Sequence, residues 1–140
     1  MNRRVLIVSS AKTKESKRRR PSIRIAGFWL NEIGFDYDKL VEISCEYGLI
    51  VLKVVGQGVE TYNKVVKDIR KNNSSLLQVK RGTRNKKYIP YIEAKGFWLE
   101  QFGFKISDVI ILEVENEIIN IKLLDIDAVT NKKTFYINEG

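Results

Sequence analysis

Two clusters of basic side chains are the residues whose chemistry is easiest to read from this sequence. Residues 1–20 contain eight Lys and Arg with one acid, and residues 80–87 contain five with none. The summed charge of the two clusters exceeds the net charge of the whole chain, which is +8. The remaining residues therefore carry more acidic than basic side chains. A segregated positive field of this kind attracts polyanions. The basic residues are Arg3, Arg4, Lys12, Lys14, Lys17, Arg18, Arg19 and Arg20 in the first cluster, and Lys80, Arg81, Arg84, Lys86 and Lys87 in the second.

Histidine and cysteine chemistry is almost absent. The 140-residue chain has no His and one Cys, Cys45. Zinc fingers, His-based acid-base catalysis and His-activated nucleophiles are therefore excluded. Cys45 lies in a strand-like apolar run, which favours a buried structural thiol over a reactive one. We predict no metal and no cofactor.

The elements that carry the clusters are built from a duplicated segment. Residues 21–35 recur as residues 90–104, with eight identities in fifteen positions at a constant offset of 69 residues. Both tryptophans of the chain and two glycines of each segment fall among the identities. One small unit built twice is the simplest interpretation.

Each unit is predicted to run strand, basic loop, strand, short helix and β-hairpin. We expect a first repeat at 1–55, a linker with a helix at 56–75, a second repeat at 76–125 and a C-terminal extension at 126–140. The extension could add one strand at 134–137. We expect the linker helix to pack on the rest of the protein through one apolar face, which is formed by Val59, Tyr62, Val66 and Ile69.

The short helix after each strand should sit on the core. Its aromatic face predicts Trp29 and Trp98 as core residues, and Gly34 is placed as a C-terminal cap. The turn that follows holds Asp38 in the first unit and Ser107 in the second. Because Asp adopts a left-handed conformation more readily than Ser, the two turns are predicted to differ in shape.

Nothing in the sequence predicts a membrane protein. The chain lacks a run of about eighteen apolar residues, as a spanning helix would need. The short apolar run at residues 5–8, followed by a dense basic stretch, resembles a signal peptide only superficially. We expect a cytoplasmic protein.

The repeated pattern Pro-x-Ile-x-x-x-Gly-x-Trp-Leu-x-x-x-Gly-Phe, preceded by a strand and a basic loop and followed by a hairpin, resembles the SymE family of small toxins. That family belongs to the AbrB-like (SpoVT-AbrB) swapped-hairpin superfamily. The matching residues are Pro21, Ile23, Gly27, Trp29, Leu30, Gly34 and Phe35 in the first half and Pro90, Ile92, Gly96, Trp98, Leu99, Gly103 and Phe104 in the second.

The resemblance implies a mostly β fold with short helices, in which two ββαββ units interleave their hairpins within one chain. Such units normally pair between two chains, so this chain is expected to be a monomeric pseudo-dimer. A helix of about a dozen residues spans roughly 18 Å, which makes the linker long enough for that arrangement.

The resemblance also implies a toxin or regulator that binds RNA or DNA through the basic loops. The contact residues carried over are the thirteen cations of the two clusters, to which the neighbouring Tyr88 is added as a residue able to stack on a base. Arg18, Arg19 and Arg20 have only a weaker counterpart in the second half, which predicts an asymmetric binding surface.

The sequence is compatible with two functions other than nucleic-acid binding alone. SymE-like proteins are described as endoribonucleases that inhibit translation, and without histidine such cleavage would need a carboxylate base from Glu32, Glu93 or Glu100. None of these acids is repeated in the other unit, so the question of intrinsic catalysis is left undecided. The third possibility is a protein-binding inhibitor or antitoxin-like module that uses the linker helix and the C-terminal extension.

Overall fold

The structure is a computed structural model that describes residues 2–12, 18–71 and 74–124. The predicted mostly β fold with short helices is confirmed. The strands are β1 (Asn2–Ile7), β2 (Ser9–Ala11), β3 (Arg20–Ala26), β4 (Lys39–Glu46), β5 (Leu49–Gln57), β6 (Ser75–Gln78), β7 (Lys80–Arg84), β8 (Lys87–Lys95), β9 (Val109–Glu115) and β10 (Ile118–Leu123), and the helices are α1 (Trp29–Glu32), α2 (Gly58–Lys71) and α3 (Trp98–Gln101). The predicted strand at 134–137 lies outside the described residues.

The strands form two antiparallel sheets. One has six strands in the order β1-β9-β10-β5-β4-β6, and the other has four in the order β2-β3-β8-β7. The hairpin β4–β5 of the first half and the hairpin β9–β10 of the second are joined through β5 and β10. The four-stranded sheet is joined at its centre through β3 and β8. Each sheet therefore contains strands from both halves of the chain.

The opening strand of each half pairs with the hairpin of the other half. β1 pairs with β9, and β6 pairs with β4. The residue that follows each opening strand repeats this exchange through backbone hydrogen bonds: Val8 donates to Asp108 O at 2.9 Å, and Val79 donates to Lys39 O at 3.0 Å. Both sheets are therefore symmetric with respect to the two halves. If each strand is renamed as its counterpart in the other half, each strand order becomes its own reverse.

One hydrophobic core lies between the two sheets and draws on both halves. Phe35 and Phe104, which follow the two short helices, are each 0% exposed. The same cluster contains Ile23, Ile92 and apolar side chains of both hairpins. The alternation of β3 and β8 explains this, because every second residue of those strands points inward.

The short helices end as predicted, and their tryptophans lie at the rim of the core. Gly34 and Gly103 close the two helices with φ of 92° and 89°, a conformation that glycine adopts without a steric penalty. Trp29 and Trp98 are half-buried and pack against the core cluster from its edge. The indole edge of each tryptophan lies against the glycine two residues before it, at positions 27 and 96.

The two turns that follow the short helices have the same shape, so the predicted difference between them is wrong. Asp38 has φ of 68° and Ser107 has φ of 76°. Ser107 is held there because its amide donates to Val8 O at 2.8 Å, as the amide of Asp38 donates to Val79 O at 3.0 Å. Tertiary hydrogen bonds thus override the local preference of serine.

The second basic cluster is a β-hairpin, which corrects its prediction as a loop at 80–87. β7 pairs with β8 from Lys80–Tyr91 to Arg84–Lys87. The two-residue turn consists of Asn85 and Lys86, both with positive φ (53° and 64°), the geometry that suits the twist of a tight hairpin. Cations on an exposed edge strand such as β7 also discourage pairing with another chain.

Helix α2 is the predicted linker helix, but its apolar face is only partly buried. Ile69 is buried and Val66 half-buried, whereas Val59 is 75% and Tyr62 44% exposed. The helix packs against β4, β5 and β6 of the six-stranded sheet. Within the described residues, no helix has the length and apolar character needed to cross a membrane.

Candidate nucleic-acid interface

Positive charge is concentrated on one of the two sheets. The four strands of the smaller sheet carry seven Lys and Arg and a single acid, Glu93. The six strands of the larger sheet carry five basic and four acidic residues. The segregation seen along the chain is therefore also a segregation between the two layers of the fold.

Six of the seven cations share the outer face of the four-stranded sheet. Residues directly opposite each other in an antiparallel pair point to the same side, so the register fixes this grouping. Buried Ile23, Ile25 and Ile92 mark the inner side, and the alternate positions point outward. We call the outer surface the basic face, and its cations are Arg20, Arg24, Lys80, Arg84, Lys87 and Lys95.

The single acid of this sheet lies near the centre of the basic face. The Glu93 carboxylate is 3.4 Å from the Lys95 ammonium and accepts a hydrogen bond from the Ser22 hydroxyl at 3.4 Å. It stands opposite Arg24 in the β3–β8 register. The cations outnumber it, so the face keeps a net positive charge from end to end.

An arginine–tyrosine stack lies beside this centre. The Arg24 guanidinium carbon is 4.0 Å from the centroid of the Tyr91 ring. Gly82 on β7 leaves room for the pair, since a Cβ there would be 3.2 Å from Tyr91 Cδ1 and 3.3 Å from Arg24 Nη2. A flat guanidinium held on an aromatic ring is pre-organised to meet a phosphate or the edge of a guanine.

A second stack is formed by Arg81, the seventh cation of the sheet. Its guanidinium carbon lies 4.8 Å from the centroid of Tyr37 and 5.5 Å from that of Tyr88. Arg81 is exposed, and Tyr88, the predicted stacking residue, is 62% exposed. The register places both on the opposite side of the β7–β8 hairpin from the basic face. Because β7 is the edge strand, this group lies along the edge of the sheet and on the other side from the basic face.

Three arginines of the first cluster, at positions 18 to 20, lie at the other end of the sheet. Arg18 binds the Glu100 carboxylate with two hydrogen bonds, at 2.7 and 2.9 Å, and its guanidinium lies 4.6 Å from the Phe97 ring centroid. Arg19 donates to the Ser10 hydroxyl at 2.6 Å. Arg20 opens β3 on the basic face, and Lys12 is exposed just after β2. Lys14 and Lys17 lie outside the described residues.

Arg3 and Arg4 do not join the others, because they lie on β1 in the six-stranded sheet. Arg3 is 3.5 Å from the Glu113 carboxylate. Lys122 also pairs with Glu113, and its hydrogen bond, with the charge of Arg3, holds the pKa of that carboxyl below its ordinary value. Arg4 lies over Trp29, with its guanidinium carbon 4.1 Å from the ring centroid. Both arginines have structural partners.

The two basic ends are separated by the length of the sheet. Lys87 and Lys95 lie at opposite ends of β8, eight residues apart, which is roughly 26 Å at about 3.3 Å per residue. Arg20 lies two residues beyond Ser22, the partner of Lys95. The basic face is thus about 30 Å long, close to the 34 Å of one turn of a B-form duplex.

Sequence reasoning named Tyr88 as a stacking residue but missed Arg24, Lys95, Tyr37 and the stacking of the arginines on tyrosines. Arg24 stands between Ile23 and Ile25, and this alternation was a signal that it points away from the core. Its nearness to Tyr91 and Gly82 depends on the pairing of β3 with β8 and of β8 with β7. The pairing of β3 with β8 joins residues that are 65 to 73 positions apart, and no local pattern specifies it.

The carboxylates considered for catalysis are not brought together. Glu93 lies on the basic face. Glu100 lies on α3 and is bound by Arg18, and Glu32 is exposed at the end of α1. Among the described residues, no group of three or more Asp, Glu or Cys side chains could hold a metal ion. Partial burial raises the pKa of the Cys45 thiol to about 11, so this cysteine is protonated and weakly nucleophilic at neutral pH.

Comparison with known proteins supports the resemblance for the first half of the chain. Residues 3–54 match the family described as Toxin SymE, type I toxin-antitoxin system. The chain contains a SymE-like domain. The matched segment runs from β1 into β5, so it contains the first basic cluster, β3 with Arg24, all of β4 and the first six residues of β5. No curated protein and no solved structure matched the chain.

Proposed function

We propose that this protein is a SymE-type toxin that acts by binding nucleic acid across the basic face. The observation that carries the proposal is the seven-to-one excess of cations over acids on the four-stranded sheet. The SymE-like segment at residues 3–54 supports the toxin class. Phosphate contacts position such a protein on DNA or RNA, and the face is long enough to follow about one turn of a duplex.

The basic face offers two kinds of contact. Exposed Lys80, Arg84 and Lys87 offer charge to phosphates, while Arg24 on Tyr91 offers a fixed planar fork. The Tyr37–Arg81–Tyr88 group has no counterpart at the symmetry-related place in the sheet, because the repeat offset of 69 residues puts Ile106 where Tyr37 stands. The bound nucleic acid would therefore meet two unlike ends, as a non-palindromic target requires.

The experiment that tests this function is a salt titration of binding to a 12-base-pair duplex. For B-form DNA, the logarithm of affinity falls with the logarithm of salt concentration with a slope of about −0.9 per phosphate contacted. If four to six cations of the basic face engage phosphates, we expect a slope of about −4 to −5. A slope near zero, or no binding at low salt, would contradict the proposal.

We also propose that the chain is an intramolecular swapped-hairpin pseudo-dimer of the AbrB-like type. Support comes from the exchange of β1 and β6 between the halves and from the reciprocal hydrogen bonds at Val8 and Val79. In such an arrangement each hairpin already has its partner within the chain. A second copy is then not needed to complete either sheet.

The pseudo-dimer predicts a monomer in solution. Light scattering at micromolar concentration should give the mass of one chain, 16.2 kDa, and that mass should not change on dilution. A protein whose hairpins were exchanged between two chains would instead show twice this mass. That dimer would dissociate only on unfolding, and its observation would refute the intramolecular arrangement.

A further inference from the structure

A pocket opens beside Trp98 in the second half of the chain. Its volume is about 290 Å³, at the lower limit of the range for small-molecule sites. The space suits one planar ring system rather than a helix or an extended peptide. The lining residues are Ile43, Cys45, Ser75, Trp98, Gln101 and Phe102.

Trp29, the counterpart of Trp98 in the first half, is covered by Arg4. Arg4 stands opposite Leu112 in the β1–β9 register, and Ser75 stands opposite Ile43 in the β4–β6 register. Leu112 and Ile43 are themselves related by the repeat offset of 69 residues, so Arg4 and Ser75 hold equivalent places. The Arg4 guanidinium covers Trp29, but the short Ser75 side chain leaves the space next to Trp98 open.

The second difference between the halves is one of charge. Gln101, which lines the Trp98 pocket, holds the place that Glu32 holds in the first half, where Glu32 lines a cavity with Asn2 and Val114. A carboxylate near an aromatic ring suits a cation such as Arg4. A neutral carboxamide, with both donors and an acceptor, suits a neutral planar group with a hydrogen-bonding edge.

We propose that the Trp98 pocket binds a single unpaired nucleobase. The base stacks on the Trp98 indole, and its edge faces the Gln101 carboxamide and the Ser75 hydroxyl. Glutamine carboxamides pair with the edge of adenine in protein–DNA complexes, so adenine is the first base to test. The inference deepens the proposed function and rests on it, since it assigns the single-stranded part of the nucleic acid to a site away from the basic face.

The first test uses the neutral nucleoside adenosine, whose binding does not depend on phosphate contacts. In a Trp29→Phe variant, Trp98 is the only tryptophan, so its fluorescence reports the pocket directly. We expect saturable quenching by adenosine, and we expect Ser75→Arg in the same background to abolish it by covering Trp98 as Arg4 covers Trp29. Quenching by arginine methylamide but not by adenosine would overturn the proposal in favour of a protein partner's arginine.

The second test compares a 12-nucleotide single-stranded RNA of A and C with a 12-base-pair duplex. Stacking of one base contributes about 5- to 150-fold in affinity, so Trp98→Leu should weaken single-strand binding by that factor and leave duplex binding unchanged. Trp29→Leu is the matched control and should have no such effect. Ser75→Arg adds a positive charge, yet it should also weaken single-strand binding, opposite to the electrostatic expectation.

The outcomes separate this inference from the proposed function. If Trp98→Leu and Ser75→Arg bind the single strand as tightly as the parent protein does, the base site is wrong even when duplex binding persists. If adenosine quenches Trp98 while the duplex does not bind at low salt, the base site stands and the basic face is wrong. Thermal unfolding of each variant shows whether a loss of binding is caused by misfolding. If a variant is misfolded, adenosine quenching in the Trp29→Phe protein decides whether the Trp98 pocket binds a base.

Discussion

Replacing Arg84 and Lys87 by glutamate is expected to weaken duplex binding on the order of 100-fold at moderate salt. The two residues stand opposite each other at the hairpin end of the basic face, and both are exposed. Removal of two phosphate contacts should also reduce the salt slope by about two. Affinity and slope are measured together by fluorescence anisotropy of a labelled duplex across a salt series.

The matched control for this double variant is Lys64→Glu with Lys67→Glu on α2. Both lysines are exposed, and the change in net charge is identical. Helix α2 packs on the six-stranded sheet, so this variant alters the overall charge without touching the basic face. Equal losses of affinity in the two double variants would show that only the net charge matters, and the proposed interface would be wrong.

The same pair of variants connects binding with toxicity. If the toxin acts through the nucleic acid bound on the basic face, expression of the parent protein in a bacterial host should reduce colony counts. The Arg84→Glu, Lys87→Glu protein should restore the counts at equal expression, and the α2 control should not. If the Arg84→Glu, Lys87→Glu protein were as toxic as the parent protein, toxicity would depend on another part of the molecule and not on the basic face.

The parts of the fold predicted from the sequence are those with a local cause. The capping glycines at 34 and 103, the linker helix and the apolar alternation of the strands each follow from residues close in sequence. What could not be predicted is which strands pair, because the pairing of β3 with β8 joins positions such as Ser22 and Lys95. The grouping of six cations on one face depends on that register.

Two local errors have the same physical origin. Ser107 adopts a left-handed conformation that its type disfavours, because Val8 from the distant β1 region accepts its amide hydrogen. The segment 80–84 forms a strand despite three cations in five residues, because β8 provides a complete ladder of partners. In both places backbone hydrogen bonds, tertiary at Ser107 and within the β7–β8 hairpin at 80–84, outweigh intrinsic preferences of a few tenths of a kcal/mol to about 1 kcal/mol.

Phe104→Ala is expected to destabilise the whole chain by about 3–5 kcal/mol, the usual cost of removing a buried phenylalanine. Phe104 is 0% exposed, and so is its counterpart Phe35, which makes Phe35→Ala the matched variant. The loss is a large part of the 5–15 kcal/mol that stabilises a typical domain. Thermal unfolding followed by circular dichroism should show a melting temperature lower by about 10–20 °C for each.

The number of transitions is the more informative result. Because one core contains side chains of both halves, and because β1 and β6 are exchanged between them, neither half can lose its packing alone. We therefore expect a single transition in both variants, shifted by similar amounts. If the halves were independent domains, Phe104→Ala would split the curve, and the SymE-like segment 3–54 would melt at the parent temperature. A split curve would thus refute both the shared core and the pseudo-dimer that is proposed to place the two basic ends on one sheet.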